Sequence, residues 1–153
     1  MKINCLLLTL ILLTTTLWSQ EINIRKKQFN LDDGVAIKGY DPVAYFNQHK
    51  AVKGSKALSV MNDGVTYYFL SLANKEAFTK NAAKYEPEYG GWCAYAMGSK
   101  GEKVEVDPGT FKIVNNKLYL FYNRFFNNTL KDWNKDDANL TLKADANWQK
   151  TIH

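Results

Sequence analysis

Cysteine, histidine and proline are scarce in this chain of 153 residues, and each scarcity excludes something. The two cysteines are Cys5 and Cys93, and Cys5 lies in an N-terminal stretch unlike the rest. There Lys2 precedes an apolar stretch from Cys5 to Leu13, followed by Thr14 to Trp18 and the small-polar Ser19-Gln20. This is the layout of an export signal over residues 1–20, cut near Ser19 or Gln20. A membrane-spanning helix needs about 20 apolar residues, and the threonines end this run early. A lipid-modified cysteine would stand at the cut, whereas Cys5 stands at the start of the apolar region. The expected product is periplasmic or extracellular, with no stable membrane span after cleavage. It keeps only Cys93, so no intramolecular disulfide can form in a compartment that would permit one.

The two histidines are His49 and the chain-terminal His153, and no C-x-x-C, H-x-x-x-H or H-E-x-x-H spacing occurs. The sequence signal for a metal site is therefore weak. A dense basic stripe is also lacking. Without Lys2 the count is 19 Lys and Arg against 15 Asp and Glu, a formal +4, spread from Arg25 to Lys150 with its densest cluster at Arg25-Lys26-Lys27. Nucleic-acid binding wants its cations gathered on one element, so no nucleic-acid partner is expected. Roughly 130 residues remain, enough for one domain to bury a core without metal or disulfide.

Residues 21–34 are polar with little periodicity and read as a flexible leader; residues 35–153 read as one domain. A short strand is expected over Val35 to Lys38, then a helix over Pro42 to Phe46 with Asp41 as N-cap and Pro42 at its first position. Leu58, Val60, Val65, Tyr67 and Phe69 alternate around Asp63-Gly64, which predicts a hairpin. Ser71 caps a helix whose apolar face holds Leu72, Ala73, Ala77 and Phe78, and a helical turn follows at Ala82 to Tyr85. "EKVEVDPGT" suggests a strand and a turn, and "FKIVNNKLYLFYN" a second hairpin turning at Asn115-Asn116. From Arg124 to Ile152 glycine and proline are absent, and two helices are expected, the first presenting Phe126, Leu130 and Trp133, the second Leu142, Ala146 and Trp148. The fold class is α+β: a small antiparallel sheet of two hairpins plus short strands, with short helices and two C-terminal ones.

In this order the words "GYDPVAYF", "VKGS", "GVTYYFLSLANKEAFTKNAAKYEPEYGGWCAYAMG", "DPGTFKIVNNKLYLFYN" and "KADANW" resemble the exported branch of the YHS domain family, from Val35 to Trp148. The resemblance implies the fold. Metal-linked relatives carry cysteines after "DPV", after "YYF" and early in the next helix, thiolates suited to Cu(I). The corresponding positions here are Ala44, Leu70 and Asn74, so a metal site does not carry over.

The densest chemistry lies in "YEPEYGGWCAYAMGSKG", where Gly90-Gly91 permits unusual backbone angles and Trp92 to Met97 suggests a helical turn. Near a helix start Cys93 would be a nucleophilic thiolate; among alanines and aromatics it would be a small core residue. His49 could fold back to it, and with Met97 and Tyr45 the pair would suit copper or another transition metal. Asp41 and Asp107 precede prolines and suit caps or turns. Tyrosines with one apolar face and one hydroxyl can line a ligand pocket or fill a core. The site expected from these residues is Tyr40, Asp41, Tyr45, Tyr89, Trp92, Cys93 and Tyr95, binding a small ligand or a metal ion, with Cys93 and His49 as metal ligands. A thiol-dependent redox protein or enzyme using Cys93 is the alternative. So is a partner-binding structural domain, which would expose apolar surface around Trp133 and Trp148.

Overall fold

The computed structural model describes Gln20 and residues 22–153, so the expected signal lies almost wholly outside the described residues. Helix α1 spans residues 22–28. There follow β1 (Leu31–Asp32), β2 (Val35–Ala36), α2 (Pro42–Gln48), β3 (Ser55–Asn62), β4 (Val65–Phe69), α3 (Leu72–Lys80), α4 (Ala82–Tyr85) and α5 (Ala94–Lys100). The second half is β5 (Asp107–Val114), β6 (Lys117–Phe121), β7 (Asn123–Arg124), β8 (Asn127–Asn128), α6 (Thr129–Trp133) and α7 (Asp137–Ile152). The fold is α+β. Among the described residues no helix is long and apolar enough to cross a membrane.

Local chemistry sets most of these bounds. Asp63-Gly64 and Asn115-Asn116 all take positive φ and close the β3–β4 and β5–β6 hairpins, as two-residue turns require. The Ser71 hydroxyl accepts from the Asn74 N–H at 3.2 Å and starts α3. The hairpins do not share a sheet: β1-β2-β4-β3 form one, with β2 parallel to β4, and β5-β6 another. Strand β6 divides the interior. Leu118 and Leu120 enter the cluster of Tyr45, Tyr67, Phe69 and Phe78, while Tyr119 and Phe121 enter that of Met97, Trp133 and Ala144. This is the two-residue alternation of a strand buried on both faces.

Several expectations give way. The segment read as a flexible leader is docked: Asn30 donates from its backbone to Gly90 O (2.8 Å) and from its side chain to Gly91 O (3.1 Å), and the Trp92 indole donates to Gln28 O (2.6 Å). Its polar residues are satisfied by the glycine-rich turn, a long-range pairing that leaves no periodic trace. Strand β2 ends at Ala36, because Ile37, Lys38 and Gly39 take positive φ. "EKVEV" forms no strand, and β5 begins at Asp107, whose carboxylate accepts from Gly109 N–H (3.0 Å) and the Thr110 hydroxyl (2.9 Å).

The first C-terminal helix starts only at Thr129, capped by Asn128. Phe126 lies instead with Phe125 in the turn between β7 and β8, both exposed and both at positive φ. Helix α7 buries Ala144 and packs the half-buried Leu140 and Trp148 on the same side, spaced by four, while Leu142 and Ala146 are exposed. Trp133 is 2% exposed and Trp148 packs edge-on against Phe29 at 6.0 Å. Trp133 is therefore core and Trp148 is half-buried at its edge, so neither forms the exposed apolar patch expected there, and the most exposed large apolar side chains among the described residues are Phe125 and Phe126.

Candidate functional site

Asp41 is fully buried and its carboxylate is saturated. It accepts from the N–H groups of Val43 (2.8 Å), Ala44 (3.3 Å) and Leu70 (2.7 Å) and from the Asn74 side-chain amide (2.7 Å). One side chain thus caps α2 and ties it to the end of β4 and to α3. Three of those donors belong to Ala44, Leu70 and Asn74, the three positions singled out above for their lack of a cysteine. In this chain a hydrogen-bond knot occupies that place, and it offers a soft metal no sulfur. Tyr45, one turn on, is equally closed: its hydroxyl donates to Pro108 O (2.9 Å) and its ring meets Phe111 edge-on at 4.8 Å.

The segment 87–93 runs parallel beside β6, bridged at Pro87–Leu118 and Cys93–Leu120. Cys93 is a sheet-edge core residue with no exposed surface. Its sulfur accepts from the Tyr122 N–H at 3.4 Å and lies 3.4 Å from the Thr129 hydroxyl. A cavity of about 240 Å³ borders it, lined by Cys93 itself with Tyr95, Val104, Tyr122 and Thr129 among others. His49 is exposed at the left-handed C-cap of α2 and lines neither this cavity nor the cleft described below. Among the described residues no group of three or more His, Cys, Asp and Glu could hold a metal ion. The expected Cys93–His49 metal pair is therefore not assembled, nor does a base reach the thiol. A thiol-specific reagent is expected to modify Cys93 no faster than the domain unfolds, and rapid labelling of the native protein would contradict this placement.

The remaining expected residues separate. Tyr40 is half-buried under the Lys53 ammonium, 4.5 Å from its ring, and Trp92 is pinned to α1. Tyr89, Gly90 and Gly91 form a turn at positive φ (55°, 59° and 85°). The pocket expected between "GYDPVAYF" and "YGGWCAYAM" is thus filled: Tyr45 and Cys93 belong to one packed core.

An open cleft of about 460 Å³ lies where this turn meets α7, lined by Phe29, Glu88, Tyr89, Lys117, Asp145 and Trp148 among others. Gly90 is what lets the wall close. A Cβ there would sit 2.9 Å from the Trp148 ring and 3.0 Å from Phe29, closer than real contacts allow. Beside the cleft Glu86 receives Arg25 (2.7 Å), Asn62 (3.0 Å) and the Tyr67 hydroxyl (2.9 Å). Glu88 pairs with Lys117 at 3.0 Å, and the Tyr89 hydroxyl donates to Asp145 at 3.0 Å. Sequence reasoning names Tyr89 but not Phe29, Asp145 or Trp148 as its neighbours. The four-residue spacing of Leu140, Ala144 and Trp148 was the one available signal.

Burial pushes the Tyr45, Tyr67 and Tyr89 hydroxyls well above the ordinary tyrosine range, helped for Tyr67 by Glu86 and for Tyr89 by Asp145. The folded state keeps these protons at a pH where the unfolded chain releases them. Their contribution is therefore whole below about pH 10 and falls above it by about 1.4 kcal/mol per pH unit for each tyrosine. Stability from denaturant melts is expected to be insensitive to these groups near neutrality and to drop steeply above about pH 10. Tyrosinate absorbance of the three should appear only with unfolding; their ionisation in the folded protein would contradict this. No family model, curated protein or solved structure matches the chain.

Proposed function

We propose that this chain is an exported, YHS-type binding module for a small organic ligand, received in the cleft between the Tyr89-Gly90-Gly91 turn and α7. The observation that carries the reading is the glycine-dependent aromatic wall: Phe29 and Trp148 come from opposite ends of the chain and meet over Gly90. A merely structural core would bury that wall, whereas here it borders an open concavity with polar groups at its rim, the usual make-up of a ligand site. Metal binding is the weaker reading, since the Cys93 thiol has no exposed surface and the Asp41 carboxylate is saturated.

The test is native mass spectrometry with elemental analysis of the mature protein purified from its exporting host. A low-mass organic adduct, absent from a Gly90→Leu variant that still folds, is expected. Stoichiometric copper or another transition metal with no organic adduct would overturn the proposal. The exposed pair Phe125 and Phe126 favours a second reading, a partner-binding domain. Concentration-dependent self-association lost in a Phe125→Ser, Phe126→Ser variant would support it.

A further inference from the structure

The charges around the cleft do not cancel. Glu86 is neutralised by Arg25 and Glu88 by Lys117, but Asp145 accepts one hydrogen bond from a neutral tyrosine and forms no ion pair among the described residues. It shares the lining of the cleft with Phe29, the buried Tyr89 and the half-buried Trp148. Ring faces attract cations through their quadrupole, and this wall already does so once, with the Arg25 guanidinium 4.4 Å from the Phe29 centroid. From this juxtaposition we infer that the cleft takes an organic cation, an alkylated or quaternary ammonium, seated against Trp148 with Asp145 as its counter-charge.

The inference rests on the cleft reading above and adds the ligand's class. Negative charge also bears on the tyrosine of the cleft: after burial, Asp145 and then Glu88 raise the Tyr89 hydroxyl. An anionic ligand would meet three carboxylates and a lysine already engaged. A neutral ligand would leave Asp145 without a partner charge in a partly enclosed site, which association penalises.

The probe is choline, compared with its neutral isostere 3,3-dimethylbutan-1-ol and followed by the Trp148 indole N–H resonance in the full mature chain. Choline is expected to shift that resonance saturably and to bind about tenfold or more tightly than the isostere. Asp145→Asn keeps an oxygen for the Tyr89 hydroxyl, so it should fold and lose that preference. Equal binding of choline and the isostere, or an unchanged preference in Asp145→Asn, overturns the cation class and leaves the cleft standing. No shift at Trp148 with either probe also overturns it, and the organic adduct then decides whether the cleft reading falls as well.

Discussion

Asp41→Ala is expected to destabilise the domain by about 4 kcal/mol, a large share of the roughly 5–15 kcal/mol that holds a native domain together. The carboxylate holds three backbone N–H groups and one side-chain amide at a fully buried position. Each donor orphaned there costs about 1–3 kcal/mol, and the lost cap adds to it, although the terms share one site and do not sum. Asp41→Asn retains one acceptor oxygen and should lose roughly half as much. Urea melts would measure both. A loss below about 1 kcal/mol would show that Asp41 is not the structural hub described, and would reopen it as a ligand-binding residue.

Gly98→Leu is expected to cost about 3 kcal/mol and to weaken ligand binding at a site it does not touch. A Cβ at Gly98 would stand 2.6 Å from the Leu140 carbonyl oxygen and 3.2 Å from its carbon. Those are backbone atoms of α7, so they cannot swing aside as a side chain would. Relief requires α7 to move from α5, and α7 carries Asp145 and Trp148 to the cleft. The Asn147 side chain, which donates to Met97 O at 2.9 Å, holds the same helix pair and would be strained with it. Unfolding melts and ligand titration on one sample check both effects. A stable variant with unchanged Trp148 environment would contradict the close helix contact.

Local chemistry was legible. Asp63-Gly64, Asn115-Asn116, the Asp41-Pro42 cap and the Ser71 cap each act within a few residues, and the chain folds there as its residues dictate. The words that suggest a YHS domain also mark the positions that gather at Asp41, but their role is architectural. What the sequence conceals is long-range. Asn30 serves Gly90 and Gly91 across 60 positions, and no periodicity announces it. Tyrosine patterning could not say which rings border a cavity: Tyr45, Tyr67 and Tyr89 are all buried, with hydroxyls bonded to Pro108 O, Glu86 and Asp145, and of the three it is Tyr89 that lines the cleft. Phe126 misled by spacing alone, since its fit to a helical face with Leu130 was accidental and Asn128 starts the helix later.

The central claim is that the turn at Gly90 and the helix carrying Trp148 form the place where a ligand is held. Shift mapping of the isotopically labelled domain with a set of small organic fragments tests it most directly. The account predicts the largest perturbations at Tyr89, Gly90, Lys117, Asp145 and the Trp148 indole. Perturbations centred on Tyr95, Tyr122 and Thr129, or none anywhere in the cleft, would contradict it.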